Sequence, residues 1–197
     1  MICCKEKLKY VLYYVKETTL KNYSNVYKVC GFFGVLSLFL KNITDSYSHL
    51  LYSYKHHVCF KKVEAYLQGK VIHKYHDVDK IVMYALFPWL GVECINNIHI
   101  LWQDHHPCYI DLKGNKAYKP KDEVNWYEAV VDWECARFTK PDKPLNAYDT
   151  YLKYYYTPEY SGIIINTLVS LGLLSVKTTD IGVVHNITNK MDDFKWK

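Results

Sequence analysis

The chain has 197 residues, half of them apolar and 23% charged, with a formal net charge of +5. That length and balance suit one ordinary folded domain with terminal extensions and exclude a disordered chain. The charge favours phosphate-bearing ligands but falls short of the basic stripe of a dedicated nucleic-acid binder.

Taken in chain order, the N-terminal MICCKEKLKY lacks the apolar run and small-residue cleavage site of a signal peptide. Helices are predicted near residues 5–18, 22–40 and 46–68, with Thr44 or Asp45 capping the third. The apolar stretch Cys30 to Leu40 is shorter than the roughly 20 residues of a spanning helix. Further helices are expected near 70–85, 91–105 and 122–138, the last capped by Asp122. Between them, residues 108–121 are rich in Lys and turn formers and read as a polar loop, and the hairpin dipeptides Asn-Gly and Asp-Gly are absent from the chain. Helices near 145–155 and 160–175 complete the set. Gly162 to Val176 is also too short to span a membrane and carries Asn166 and Ser170, as a buried core helix does. The tail from 177 onward reads as a short strand pair or a docked extension. The fold class is therefore all-α, with residues 1–45 an extension, 46–176 the main domain and 177–197 a tail.

Seven cysteines, an odd number without a CxxC spacing, support neither a disulfide framework nor a thiolate zinc site. Reduced thiols in a cytoplasmic setting are expected, with no membrane partner. The 20 tyrosines are spread along the whole chain, which makes them core and boundary residues before ligand platforms.

Chemistry concentrates in a few polar positions. On a helix, His76 and Asp77 point about 100° apart and can grip one metal from neighbouring directions. Lys80 follows one turn later, where an ammonium could hold a phosphate oxygen. Asp132 and Glu128 share a face of an otherwise core-forming helix, an arrangement that needs a compensating cation. His56 and His57 lie about one helix earlier. His99, His105 and His106 form a third group, where Pro107 ends the helix and leaves the choice between His105 and His106 open. Imidazoles mixed with carboxylates suit a divalent transition metal (Mn, Fe, Zn, Ni or Co) better than an oxygen-only Mg or Ca site.

The stretches YKHHV at 54–58, HDVDK at 76–80, HILWQDHHP at 99–107 and YEAVVDW at 127–133 resemble the HD superfamily of metal-dependent phosphohydrolases. More narrowly, they are similar to HD-like "catalytic domain" proteins of phage and bacterial genomes. The resemblance implies an HD-domain-like helical bundle in which His57, His76, Asp77 and Asp132 ligate a metal. It implies that His99 with His105 or His106 binds a second ion or the substrate phosphate, that Lys80 holds phosphate, and that Glu128 orients a ligand. The sequence departs from the cyclic-dinucleotide subgroup, which has a Gly-Tyr-Pro signature after the paired histidines and Gly in place of Asp79. His73 and Tyr75 are extra, and His56 leaves the first ligand ambiguous.

The expected activity is hydrolysis of a small phosphoester, a nucleotide by preference given Trp89, Trp102, Trp126 and Trp133, with one or two metal ions bound. The alternatives are an inactive HD-fold protein, phage-encoded in this reading, that sequesters a nucleotide or protein partner, and a helical protein whose histidines are purely structural.

Overall fold

A computed structural model describes residues 4–140, 142, 144–179 and 182–196. Helices dominate: α1 Cys4–Tyr14, α2 Lys21–Gln68, α3 Val78–Leu86, α4 Val92–Trp102, α5 Trp126–Thr139, α6 Ala147–Thr150 and α7 Pro158–Ser170. The strands are confined to two antiparallel hairpins, β1 Cys108–Ile110 with β2 Lys116–Tyr118, and β3 Leu174–Thr179 with β4 Gly182–Ile187. The fold is all-α with a small irregular tail.

The chain divides into two compact units, Met1–Tyr54 with Asp77–Glu123, and Lys55–His76 with Val124–Lys197. In the first, Tyr14, Tyr84, Leu90, Cys94, Ile95, Ile98 and Leu101 make the core. Helix α2 does not break at residues 41–45. Thr44 Oγ1 bonds back to the Leu40 carbonyl at 3.0 Å, so it sits inside the helix and does not cap one. The break falls at Gly31, whose φ of 63° and ψ of −157° are open to glycine. Asn42 Nδ2 donates to Tyr23 Oη at 3.0 Å. On one straight helix these residues would stand about 28 Å apart, so the chain reverses and forms a helical hairpin with Gly31 at its apex. Both arms are fastened to the short turn Pro88–Leu90. Tyr23 Oη donates to Trp89 O at 3.1 Å from the first arm and Ser46 Oγ donates to Pro88 O at 3.0 Å from the second.

The expected loop at 108–121 instead carries β1 and β2. Its reversal uses Asp111, whose Oδ1 accepts from Lys113 N and Asn115 N at 2.8 Å each, with Gly114 at φ 82°. An Asp turn does here what the missing hairpin dipeptides do elsewhere.

In the second unit, α5 and α7 and the end of α2 bury Phe60, Val63, Ala129, Val130, Val131, Ile164 and Leu168. Helix α5 starts later than expected, at Trp126. Its cap is Asn125, which accepts from Glu128 N at 3.2 Å, and Asp122 lies in a separate turn. Helix α2 ends at Gln68 and is closed by Gly69 (φ 74°), whose N bonds to Ala65 O. The stretch that follows is not the start of a helix, because Glu64 reorganises it. This fully buried carboxylate accepts from Ile72 N at 2.8 Å, His73 N at 3.1 Å and His73 Nδ1 at 2.6 Å. A buried carboxylate with three donors is satisfied, and it delivers His76 to the unit's interior. The expected 145–155 helix divides into α6 and a wider π turn over Tyr151–Tyr155. The tail forms β3 and β4, with 180, 181 and 197 outside the described residues. Cys30, Cys59, Cys94, Cys108 and Cys135 are free thiols; Cys3 and the side chain of Cys4 lie outside the described residues.

Candidate metal centres

Each unit holds its own cluster of imidazoles and carboxylates with ligand spacing. In the second unit the group is His56, His76 and Asp132. His56 Nε2 is 2.6 Å from Asp132 Oδ1, and His76 Nε2 is 3.4 Å from the same oxygen. Both histidines are buried, and the His76 ring stacks on Phe60 at 3.7 Å between centroids and 11° between planes.

The other ring nitrogens are held by acceptors. His76 Nδ1 is 3.0 Å from Glu128 Oε1. His56 Nδ1 is 3.0 Å from Thr139 Oγ1, whose own hydroxyl donates to Cys135 O at 3.3 Å. An acceptor at Nδ1 sets the proton there and turns Nε2 toward Asp132 as a lone-pair donor. Two imidazole lone pairs and a carboxylate oxygen so arranged repel one another unless a proton or a cation lies among them. Metal-ligating histidines are oriented this way, with the far nitrogen bonded to a carboxylate or other acceptor. The donor set therefore fits a divalent metal ion. Where protons take that place, burial would raise the pKa of Asp132, but its bonds to His56 and His76 outweigh that. They hold the carboxyl well below the ordinary carboxylate range.

The first unit repeats the motif with Asp77, His99, His105 and His106. His99 Nδ1 donates to Asp79 Oδ2 at 2.9 Å, while Nε2 lies 3.1 Å from Asp77 Oδ1 and 3.0 Å from His106 Nε2. His105 Nε2 is 3.7 Å from Asp77 Oδ1, and Lys80 Nζ is 3.4 Å from Asp77 Oδ2. Burial works against a charged His99, yet hydrogen bonds to Asp77 and Asp79 raise its pKa overall. Asp79 behaves reciprocally. Its burial is outweighed by the bond from His99, and its carboxyl is held low.

Asp77 is not on a helix beside His76. It precedes α3 with φ 58° and ψ 9°, the sole non-glycine residue at positive φ among the described residues. Asp tolerates this left-handed region better than most residues, at a cost of about 1 kcal/mol or more. Although it occupies the cap position, its side chain makes no capping bond. The carboxylate is directed to the histidines and Lys80 instead.

The two ambiguous pairs, His56 with His57 and His105 with His106, are arranged differently. His56 joins the Asp132 group, whereas His57 Nδ1 donates to the His76 carbonyl at 2.6 Å. Helix α4 ends at Trp102, before His105 and His106, so both can turn inward and both join the Asp77 group. Asp79 and Thr139 are positioning groups that the pattern did not single out. The signal for Asp79 was its spacing of two from Asp77, and Thr139 offered none. Trp126 and Trp133 are core residues; Trp89 and Trp102 are exposed.

No family model, curated protein or solved structure matches this chain.

Proposed function

We propose that this chain is a metal-dependent phosphohydrolase of the HD type, acting on a nucleotide or related small phosphoester in the cytoplasm. One observation carries the reading. Three buried histidines have Nδ1 tied to an acceptor (Thr139, Glu128, Asp79) and Nε2 aimed at a carboxylate (Asp132 or Asp77). The composition of both groups, imidazole plus carboxylate, favours Mn, Fe, Zn, Ni or Co, and each group has donors enough for one ion.

A bound divalent ion supplies a water of lowered pKa and polarises a phosphoryl oxygen. The chain's own residues do the rest. Lys80 presents its ammonium to a phosphoryl oxygen and offsets charge that develops there. His105 or His106 holds a proton for the departing alkoxide, a task suited to an imidazole at neutral pH. Asp79, Glu128 and Thr139 keep the rings of His99, His76 and His56 in one tautomer and orientation.

The test begins with elemental analysis of the purified full chain. At least one transition-metal ion per chain is expected, reduced strongly by Asp132→Ala with Asp77→Ala. A panel of nucleoside mono-, di- and triphosphates and phosphodiesters, assayed with added Mn²⁺, should then show turnover that the double variant lacks. Protein that takes up no metal would refute the proposal. Metal retention without turnover on any phosphoester would point to a sequestering protein instead.

A further inference from the structure

We infer that the apex of the α2 hairpin inserts into one leaflet of a lipid bilayer that carries anionic headgroups. Residues 29–40 contain no charged side chain, and Val29 is 83%, Phe32 67% and Phe33 80% exposed. Tyr27, Leu36, Phe39 and Leu40 are exposed as well, so the apolar surface runs around the apex and along the second arm, while the first arm exposes the polar Ser24, Asn25 and Lys28 nearer its base. By length and composition this helix meets the requirement for a membrane span, and none of its apolar window is buried. A helical segment that is apolar on all sides, as 29–40 is, belongs in a core or in lipid, and this one has no core around it.

The reversal at Gly31 rules out a simple crossing. Beyond the Tyr23–Asn42 bond the arms extend only about 12–16 Å at 1.5 Å per residue, roughly half of a hydrocarbon core about 30 Å thick. That depth suits one leaflet. The apex is built for close approach of its arms, since a Cβ on Gly34 would lie 2.3 Å from Cys30 Cβ and 3.0 Å from Val26 Cγ1.

Charge selects the occupant. Residues 1–41 hold Lys5, Lys7, Lys9, Lys16, Lys21, Lys28 and Lys41 against Glu6 and Glu17, so this segment accounts for the whole net charge of +5. Lys21 and Lys41 stand at comparable distances from Gly31 on the two arms, where an inserted apex would place them at the headgroups. Lys28 is close enough to the apex that its long stem must extend back toward the surface. An apolar tip with lysines at its base matches an anionic lipid surface better than a protein groove.

The experiment is flotation of the full chain with vesicles of phosphatidylcholine alone or with 30 mol% phosphatidylglycerol added. Binding should be at least tenfold stronger to the anionic vesicles and should fall with added salt. Phe33→Asp with Leu36→Asp should abolish it. Lys21→Gln and Lys41→Gln should each weaken it about fivefold. Since these side chains are exposed, circular dichroism and urea transitions of the variants should match the parent. No flotation with either composition would overturn the inference, as would flotation that the Asp double variant retains. A dimer that dissociates in that variant, without vesicle binding, would assign the apex to a second copy and equally overturn it.

Discussion

Replacing His56 and His57 in turn separates two adjacent imidazoles that the sequence leaves equivalent. His56 is one of three donors in its group, 2.6 Å from Asp132, whereas His57 belongs to none of the ligand groups among the described residues and its Nδ1 donates to the His76 backbone carbonyl. Loss of a residue that merely orients a ligand costs about 10–100-fold in metal affinity. Loss of a ligand costs more, so His56→Ala should weaken binding at least about 100-fold, or about 2.8 kcal/mol. His57→Ala forfeits its hydrogen bond to the His76 carbonyl, net about 0.5–1.5 kcal/mol of stability, and should leave affinity within about tenfold of the parent. Competition with a chromogenic chelator for Zn²⁺ or Mn²⁺ reads both, in an Asp77→Asn background that disables the other group. Urea melts of the metal-free variants check folding. If His57→Ala weakens the metal as much as His56→Ala, the ligand assignment is wrong.

Phe60 is fully buried and carries the His76 ring on its face, so Phe60→Ala should cost about 3–5 kcal/mol in a urea titration. A loss below about 1 kcal/mol would show that the site collapses around the void. At Asp77, neither Gly nor Ala supplies a carboxylate, but only Gly is relaxed at φ 58°. Asp77→Gly should therefore be about 1 kcal/mol more stable than Asp77→Ala, and equal melting temperatures would contradict the left-handed backbone there. The depressed pKa of Asp132 makes a pH prediction for chelator-treated protein. A carboxyl held low in the fold contributes stability above its unfolded value near 3.8, and that contribution disappears as the pH falls through the folded value. Asp132→Asn should flatten the acid limb of stability against pH; an unchanged limb would mean other groups govern it.

How much of this was legible follows from the range of each interaction. The all-α class and most helices were readable because apolar periodicity is local, whereas in the tail the pattern left a strand pair and a docked extension equally open. The break at Gly31 was missed because glycine inside an apolar run gives no sign whether it takes positive φ. The stretch 70–77 was misread because Glu64 captures its backbone donors, and no local pattern announces that. At the candidate centres the residue types were legible and the groupings were not. Two neighbouring histidines differ only in which way a helix turns them, and His105 and His106 depend on α4 ending at Trp102.

The fastening of both hairpin arms to Pro88–Leu90 has a bearing on how this chain can change over time. The segment beyond that clasp contributes nothing to the Tyr14 core, and Val29, Phe32 and Phe33 are exposed, so its length can drift independently of that core while its tip stays apolar. Residues added to one arm must be matched on the other, or Asn42 no longer meets Tyr23. Paired insertions and deletions about position 31, with positions 23 and 42 kept compatible, are the variation such a clasp permits.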